Sequence, residues 1–505
     1  FLSNLYYKSD IMIKKKGNKI LTLTYTGTFL FLLFFASNMS AVLNNSKIGS
    51  SKEIINYENN LKDLKNSGYW TLPNITIDDL AWNNWAWAAT QPWCSGTGDS
   101  GDPYIIENVN IKSSTAGIYI RNSIKYFVVR NATIYNVTQT GLKLNNVTNG
   151  VLFDNNISSS NIYGIYWYES KYNLINENYI FNNTRDGIIL TFSSNSNTIE
   201  TNNFVNNSRY GIFIEDNSNN NTIIGNTVHN NTQNGIILEQ GYNNTIIGNI
   251  FDNNTLSGIL LTSSDNNTIY DNNIESNDKY GIELQVSNYN HIKENFIYNN
   301  TNHGIELAAS SNNNMIETNT IIGSRNGIDL ATGNGNSIIE NIVNSSLYSG
   351  IYLYEGNFTK VIGNIVHNNT QSGIELEIIQ NSTIAENTVY NNLMNGISLI
   401  SSDNNYNNIT SNIVYNNELT GIQLIQSNFN LISENEVYDN NEKGIYIDLG
   451  NYNYIDSNTV RDNAIHGIFL EEGTDYNEIT ENIIHNNTIG IEIDSMGDNN
   501  SIYQN

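Results

Sequence analysis

Three carboxylates, Glu283, Glu306 and Asp329, recur at intervals of 23 residues, each two places after a glycine. Tyr352 and Glu375 continue the same spacing, and Tyr354 and Glu377 stand two residues beyond them. Carboxylates accept hydrogen bonds from sugar hydroxyls, and a tyrosine offers a flat apolar ring with a polar tip. Oxygen-rich clusters also suit Ca2+. On that reading Glu283, Glu306 and Asp329 form a Ca2+ site, and no other cofactor is required. Carboxylates on neighbouring layers lie near the roughly 5 to 5.5 Å separation used by retaining glycosidases. The plain alternative is an acidic face open to water.

A repeat positions these groups. Residues 258–280 read GILLTSSDNNTIYDNNIESNDKY, and residues 281–303 repeat the plan as GIELQVSNYNHIKENFIYNNTNH. From Gly117 to Gly490 a glycine followed by Ile or Leu returns every 23 or 24 residues, and once after 25. Such a period is the mark of a stacked architecture. Within a unit the apolar residues fall as Ile282-x-Leu284, a single Ile292 and a single Ile297. That alternation means short strands with one buried face, separated by turns rich in Asn, Asp, Ser and Gly. A unit this short buries its apolar side only against its neighbours. The fold class is therefore all-β: a single-stranded parallel β-helix of about 17 coils of 23–24 residues. With a rise of about 4.8 Å per coil it forms a rod of roughly 80 Å. Asn267, Asn272 and Asn277 return as Asn290, Asn295 and Asn300, which predicts side-chain ladders along the stack. The leading glycine is expected to supply a backbone angle that other residues avoid.

The pattern N-x-I-x-x-N-x-I-x-x-N-x-x-x-G-I-x-L, carried from Tyr104 to Asn505, resembles the repeat of NosD-like proteins. These belong to a group of carbohydrate-binding proteins and sugar hydrolases with right-handed β-helices. The resemblance implies a right-handed coil, in keeping with the usual hand of parallel crossovers. CSGTGDSGDPYIIENVNI, from Cys94, resembles the segment leading into the first coil of such proteins. The family spans enzymes, binding proteins and accessory proteins, so it fixes no activity. Copper comes with the NosD name, but copper sites want clustered His, Met or Cys. His229, His291, His303, His367, His466 and His485 are dispersed along the repeat, and no copper ligand carries over. His303-Gly304 and His466-Gly467 read as ordinary repeat ends. The Asn-Thr-Asp and Gly-His-Gly signature of polygalacturonases and the Asp-Pro-His motif of alginate epimerases are missing from the sequence. No catalytic set is recognisable.

Along the chain, residues 1–11 precede the first methionine, Met12, and read as upstream read-through. Residues 12–41 join a lysine-rich start to an uncharged apolar run ending in LFLLFFA, the layout of a signal peptide or N-terminal anchor. Residues 42–69 are a polar linker. Residues 70–103 hold five of the six tryptophans and are expected to cap the open end of the stack, with a sugar platform as the other use of such indoles. Residues 104–505 form the β-helix, which stops within a coil and reads as C-terminally incomplete. One cysteine forms no internal disulfide. The net charge of −26 and pI near 4.4 exclude nucleic acid and anionic lipid as partners. Contact with a membrane is left to the N-terminal segment or to a further C-terminal anchor.

These readings converge on a monomeric secreted or cell-surface protein that binds a polysaccharide or a glycoprotein glycan without catalysis. Its ligand face comprises Glu283, Glu306, Asp329, Tyr352, Tyr354, Glu375 and Glu377, about 19 Å of stacked strands. The alternatives are a structural or adhesive spacer, a polysaccharide lyase, hydrolase or epimerase, and a NosD-type copper accessory protein.

Overall fold

The computed structural model describes residues 70–505 apart from 114, 495 and 496. The export segment, the upstream residues and the linker read from the sequence lie outside the described residues.

Each coil is three short strands and three turns. In the coil opened by Gly281 the strands are Ile282–Gln285, His291–Lys293 and Phe296–Tyr298. Ile282 pairs with Ile305, His291 with Met315 and Phe296 with Thr320, all parallel and in register. Repetition builds three long parallel sheets: a glycine-led first sheet, a second and a third. The coils wind right-handed through about 17 turns. Ile282, Leu284, Ile292 and Ile297 point inward and are fully buried. Each continues an apolar stack along the rod, as the period-2 spacing requires. No helix among the described residues is long and apolar enough to cross a membrane.

Asparagine holds the turns. The Asn272 amide donates to Asn295 Oδ1 at 2.9 Å, to Ile246 O at 3.0 Å and to Tyr270 O at 2.9 Å. Its Oδ1 accepts from the backbone N–H of Asn249 at 2.9 Å and from its amide at 3.0 Å. The ladder thus satisfies buried backbone groups that the bends take out of the sheets. The left-handed positions are different residues: Val286, Tyr289, Glu294 and Asn299 in this coil. Even a valine and a tyrosine accept that conformation, which costs an L-residue roughly 1–2 kcal/mol, because the buried asparagines beside them fix the turn.

The leading glycines do something other than the sequence suggests. None from Gly117 to Gly490 has a left-handed φ. A Cβ on Gly281 would stand 2.5 Å from Gly304 O and 2.7 Å from Ile297 Cγ2. The requirement is space between coils, not backbone angle.

Residues 70–103 lead into this stack. Trp70–Leu72 pairs with Val109–Ile111, and Ile75–Asp78 with the strand at Ile118. Trp85, in a single helical turn Trp85–Ala88, lies flat on Tyr104 at 4.8 Å and donates from Nε1 to Ser123 Oγ at 2.8 Å. Trp93 is buried, whereas Trp82 is largely exposed. Cys94 is buried, and burial pushes its thiol up to about 12.

One buried acid faces outward on the third sheet. Asp252 is flanked in register by His229 and Glu275, and burial, then the Glu275 charge, raises it to about 6. The usual aspartate value is about 3.9. The folded state therefore holds this proton more tightly than the unfolded state. The stability it contributes is complete below about pH 4 and is lost as pH rises through 6. Asp252→Asn is expected to be more stable than wild type at pH 7 by up to about 3 kcal/mol, and equal to it near pH 4. Denaturant midpoints of the two proteins at both pH values check this; a gap that does not shrink in acid contradicts it.

Candidate functional site

On the glycine-led sheet, the residues just before each glycine fold back over the first outward side chain of the strand. From Gly187 to Gly258 that outward position is Ile189, Phe213, Ile237 and Leu260. Ile189, Phe213 and Ile237 are buried and, with the partly buried Leu260, Tyr163, Tyr166 and Tyr210 packed against them, form a small second core outside the sheet. The next three positions in the same register are Glu283, Glu306 and Asp329. They are 3%, 7% and 6% exposed. The solvated acidic face read from the sequence is thus corrected here: the preceding turn buries these carboxylates as it buries the isoleucines.

The three are not equivalent. Glu283 is saturated: Ser257 Oγ donates to Oε2 at 2.7 Å, Gln285 Nε2 to Oε1 at 2.6 Å, and Lys279 Nζ lies 3.1 Å from Oε1. Glu306 Oε2 is buried with no hydrogen-bond partner. Burial, then the charges of Asp329 and Glu283, raise this carboxyl to about 8. Asp329 takes a hydrogen bond from Asn326 Nδ2 at 2.5 Å, and burial still raises it to about 6.

His303 completes the group. Its Nε2 is 3.8 Å from Glu306 Oε2 and its Nδ1 is 3.4 Å from Asp329 Oδ2. Nδ1 accepts the backbone N–H of Asn326 at 3.2 Å, so Nε2 carries the ring proton. Burial, then the Arg325 charge, lower the imidazole to about 4, and it is neutral at pH 7. The Tyr280 ring covers it at 5.6 Å, with a phenol raised by burial to about 12. The cation grouping read from sequence is redrawn accordingly. Lys279 occupies Glu283, and the ligating atoms that converge are those of His303, Glu306 and Asp329. Read as an ordinary repeat end, His303 was legible only in the pre-glycine column Tyr280, His303, Asn326, Ser349.

Beyond Asp329 the face opens. Tyr352 and Glu375 follow in register, with Tyr354 and Glu377 alongside, all partly exposed. Tyr352 donates its hydroxyl to Glu377 Oε2 at 2.8 Å, and burial with that bond raises its phenol. Ser349 Oγ donates to Glu375 Oε2 at 2.5 Å. From Glu375 a cleft of about 390 Å3 continues along the sheet, lined by Asn395, Gln423, Lys443 and Tyr446 with apolar Met394 and Leu419. Asn395 Nδ2 holds Gln423 Oε1 at 2.6 Å, and the Tyr446 hydroxyl donates to Glu471. Sequence reasoning stopped at Glu377 and missed this stretch. The signal was there: Ser398, Gln423 and Tyr446 extend the same outward column.

A family model described as a right handed beta helix region matches residues 94–251, 313–440 and 380–505, well over half of the chain. A second, the periplasmic copper-binding protein (NosD), matches residues 206–332. No curated protein matches. Similar solved structures include a mutant of the periplasmic alginate epimerase AlgG, 16% identical, covering 47% of this chain and 78% of that one, with a TM-score of 0.34. The Dettilon tailspike protein is 16% identical over 73% of this chain and 62% of its own, with a TM-score of 0.36. The A-module of Azotobacter vinelandii mannuronan C-5 epimerase AlgE6 is 12% identical over 76% and 91%, with a TM-score of 0.33. Likenesses of this size say nothing of this chain's activity.

Proposed function

We propose that this chain, which belongs to the right-handed β-helix family, binds a polysaccharide or a glycoprotein glycan along its glycine-led face. The observation that carries the reading is the cleft beyond Glu375. Its lining sets amides, two carboxylates, an ammonium and a phenol beside apolar Met394 and Leu419. A sugar has hydroxyls at its edges and C–H groups on its faces, and this mixture answers both. The polar groups are held before any ligand arrives, Gln423 by Asn395 and Ser398, which lowers the ordering cost of binding. Tyr352, Tyr354, Glu375 and Glu377 extend the surface toward the buried acids. The acidic surface fits a neutral or cation-bridged glycan. A place outside the cytoplasm follows from the same reading, in line with the export-type layout of residues 12–41.

Gln423→Ala combined with Lys443→Ala is expected to weaken binding to a polysaccharide at least tenfold, about 1.4 kcal/mol. Tyr354→Ala is expected to act in the same direction. Tyr289→Ala, on the turn between the first and second sheets, leaves binding unchanged. Affinity electrophoresis through a panel of neutral and acidic polysaccharides, with and without Ca2+, makes the measurement. A folded double variant that binds as tightly as wild type places the ligand elsewhere. Failure of the wild type to bind any polysaccharide makes the spacer reading the better one.

A further inference from the structure

We propose that His303, Glu306 and Asp329 bind one divalent transition-metal ion of the zinc class. The proposal stands independently of the glycan reading, since the ion site is upstream of the cleft and is tested without sugar.

The first observation is the register. Three consecutive coils bury Ile189, Phe213 and Ile237 at this outward position, and the fourth packs a partly exposed Leu260 against them. The same position under the same turn then carries three carboxylates. Burying a carboxylate where an isoleucine serves is costly unless the charge is compensated. Lys279 compensates Glu283. Among the described residues no lysine or arginine lies within ion-pair distance of Glu306 or Asp329; their neighbour is the imidazole of His303.

The second observation is the orphaned atom. The Glu306 side chain is 9% exposed, and its Oε2 points at His303 Nε2 from 3.8 Å, too far for a hydrogen bond. Among the described residues it is the one carboxylate oxygen so buried without a partner, and a carboxylate left so is costlier than a hydroxyl or an amide. One ligand atom from each of the three residues lies within 4.8 Å of the other two. Bonds of about 2.0–2.2 Å in tetrahedral geometry set ligand atoms roughly 3.4 Å apart. The contraction needed is on the order of 1 Å, within reach of carboxylate rotation. Ligation through Nε2 moves the ring proton to Nδ1, which faces Asp329 Oδ2 and then gives up the Asn326 N–H it accepts in the metal-free geometry; the fourth position is left to water or a ligand.

The donor set selects the ion. One imidazole and two carboxylates suit zinc and its neighbours. Ca2+ wants six to eight oxygens, which these residues do not supply.

Equilibrium dialysis of the chelator-treated full chain against Zn2+ alone tests the site. Wild type is expected to bind one equivalent tightly. His303→Ala and Glu306→Leu are each expected to weaken it at least tenfold, the loss that even an outer-shell partner causes. Glu306→Leu restores the residue type that Leu260 places in this register, so it is expected to fold. A folded wild type that binds no Zn2+ overturns the proposal. So does equal affinity in both variants, or displacement of Zn2+ by an equal concentration of Ca2+.

Discussion

Asn272→Ala opens the middle of the rod at a cost of roughly 3–6 kcal/mol. The side chain is buried and uses all of its hydrogen-bonding capacity. Alanine leaves the backbone N–H of Asn249 without its acceptor and removes a donor from the carbonyls of Ile246 and Tyr270. Each buried group left unpaired costs about 1–3 kcal/mol, and two or three are affected. Neighbouring coils do not compensate, because each contacts only the next. Asn272→Asp is worse than alanine: it keeps an acceptor for Asn249 but sets a charge against Asn295 Oδ1 and two carbonyls. Serine gives no relief: one ladder passes through Ser324 and Ser346, whose hydroxyls are buried and unpaired, so serine at 272 is expected to cost at least as much as alanine. Native-state hydrogen exchange at the Asn249 amide reads the effect locally. Protection unchanged from wild type in the alanine variant, with a midpoint shift worth under 1 kcal/mol, contradicts it.

How much of this was legible in the sequence depended on periodicity. Ile282, Leu284, Ile292 and Ile297 repeat at fixed offsets, so the strands, their inward faces and their register could be read directly. Asn267, Asn272 and Asn277 recur as strictly, and invariance under stacking is what a ladder needs. The alignment of Glu283, Glu306 and Asp329 followed from the same arithmetic. Their burial did not. Whether a turn leaves a strand exposed or folds over it depends on the path of residues that follow no hydrophobic rule, such as Lys279 and Tyr280. For the same reason His303 looked like punctuation before a glycine, although the turn carries it onto the neighbouring carboxylates. The reach of the face was also cut short: Gln423 and Tyr446 share the column of Glu375, but an amide and a lone tyrosine do not announce themselves as acids do.

The leading glycines show how a correct residue can be read for the wrong reason, and the observed backbone angle and the observed crowding predict opposite signs for alanine. If Gly281 were kept for its backbone angle, alanine would suffer in φ alone. Its φ is not left-handed, so on backbone grounds alanine at 281 would stabilise by roughly 0.4–1 kcal/mol through the unfolded chain. Space decides otherwise. The new Cβ would sit 2.5 Å from Gly304 O, 2.7 Å from Ile297 Cγ2 and 3.1 Å from Asn300 Nδ2. Gly304 O is a backbone atom that already accepts the N–H of Ile282 at 3.0 Å. Moving it away breaks that bond and spreads two coils. Gly281→Ala is therefore expected to destabilise by about 3 kcal/mol, the upper range for overpacking a core. Gly248 supplies the contrast. It has a φ of +63° and nothing within 4 Å of a Cβ. Alanine there pays only the left-handed cost of about 1–2 kcal/mol, partly offset by the unfolded-state gain. Guanidinium unfolding of both variants, with hydrogen exchange at Ile282, separates the two causes. Destabilisation at 281 exceeding that at 248, with lost protection at the Ile282 amide, is the expected pattern. Stabilisation by Gly281→Ala would mean that the coils part without cost, and the spacing of the stack would then need another explanation.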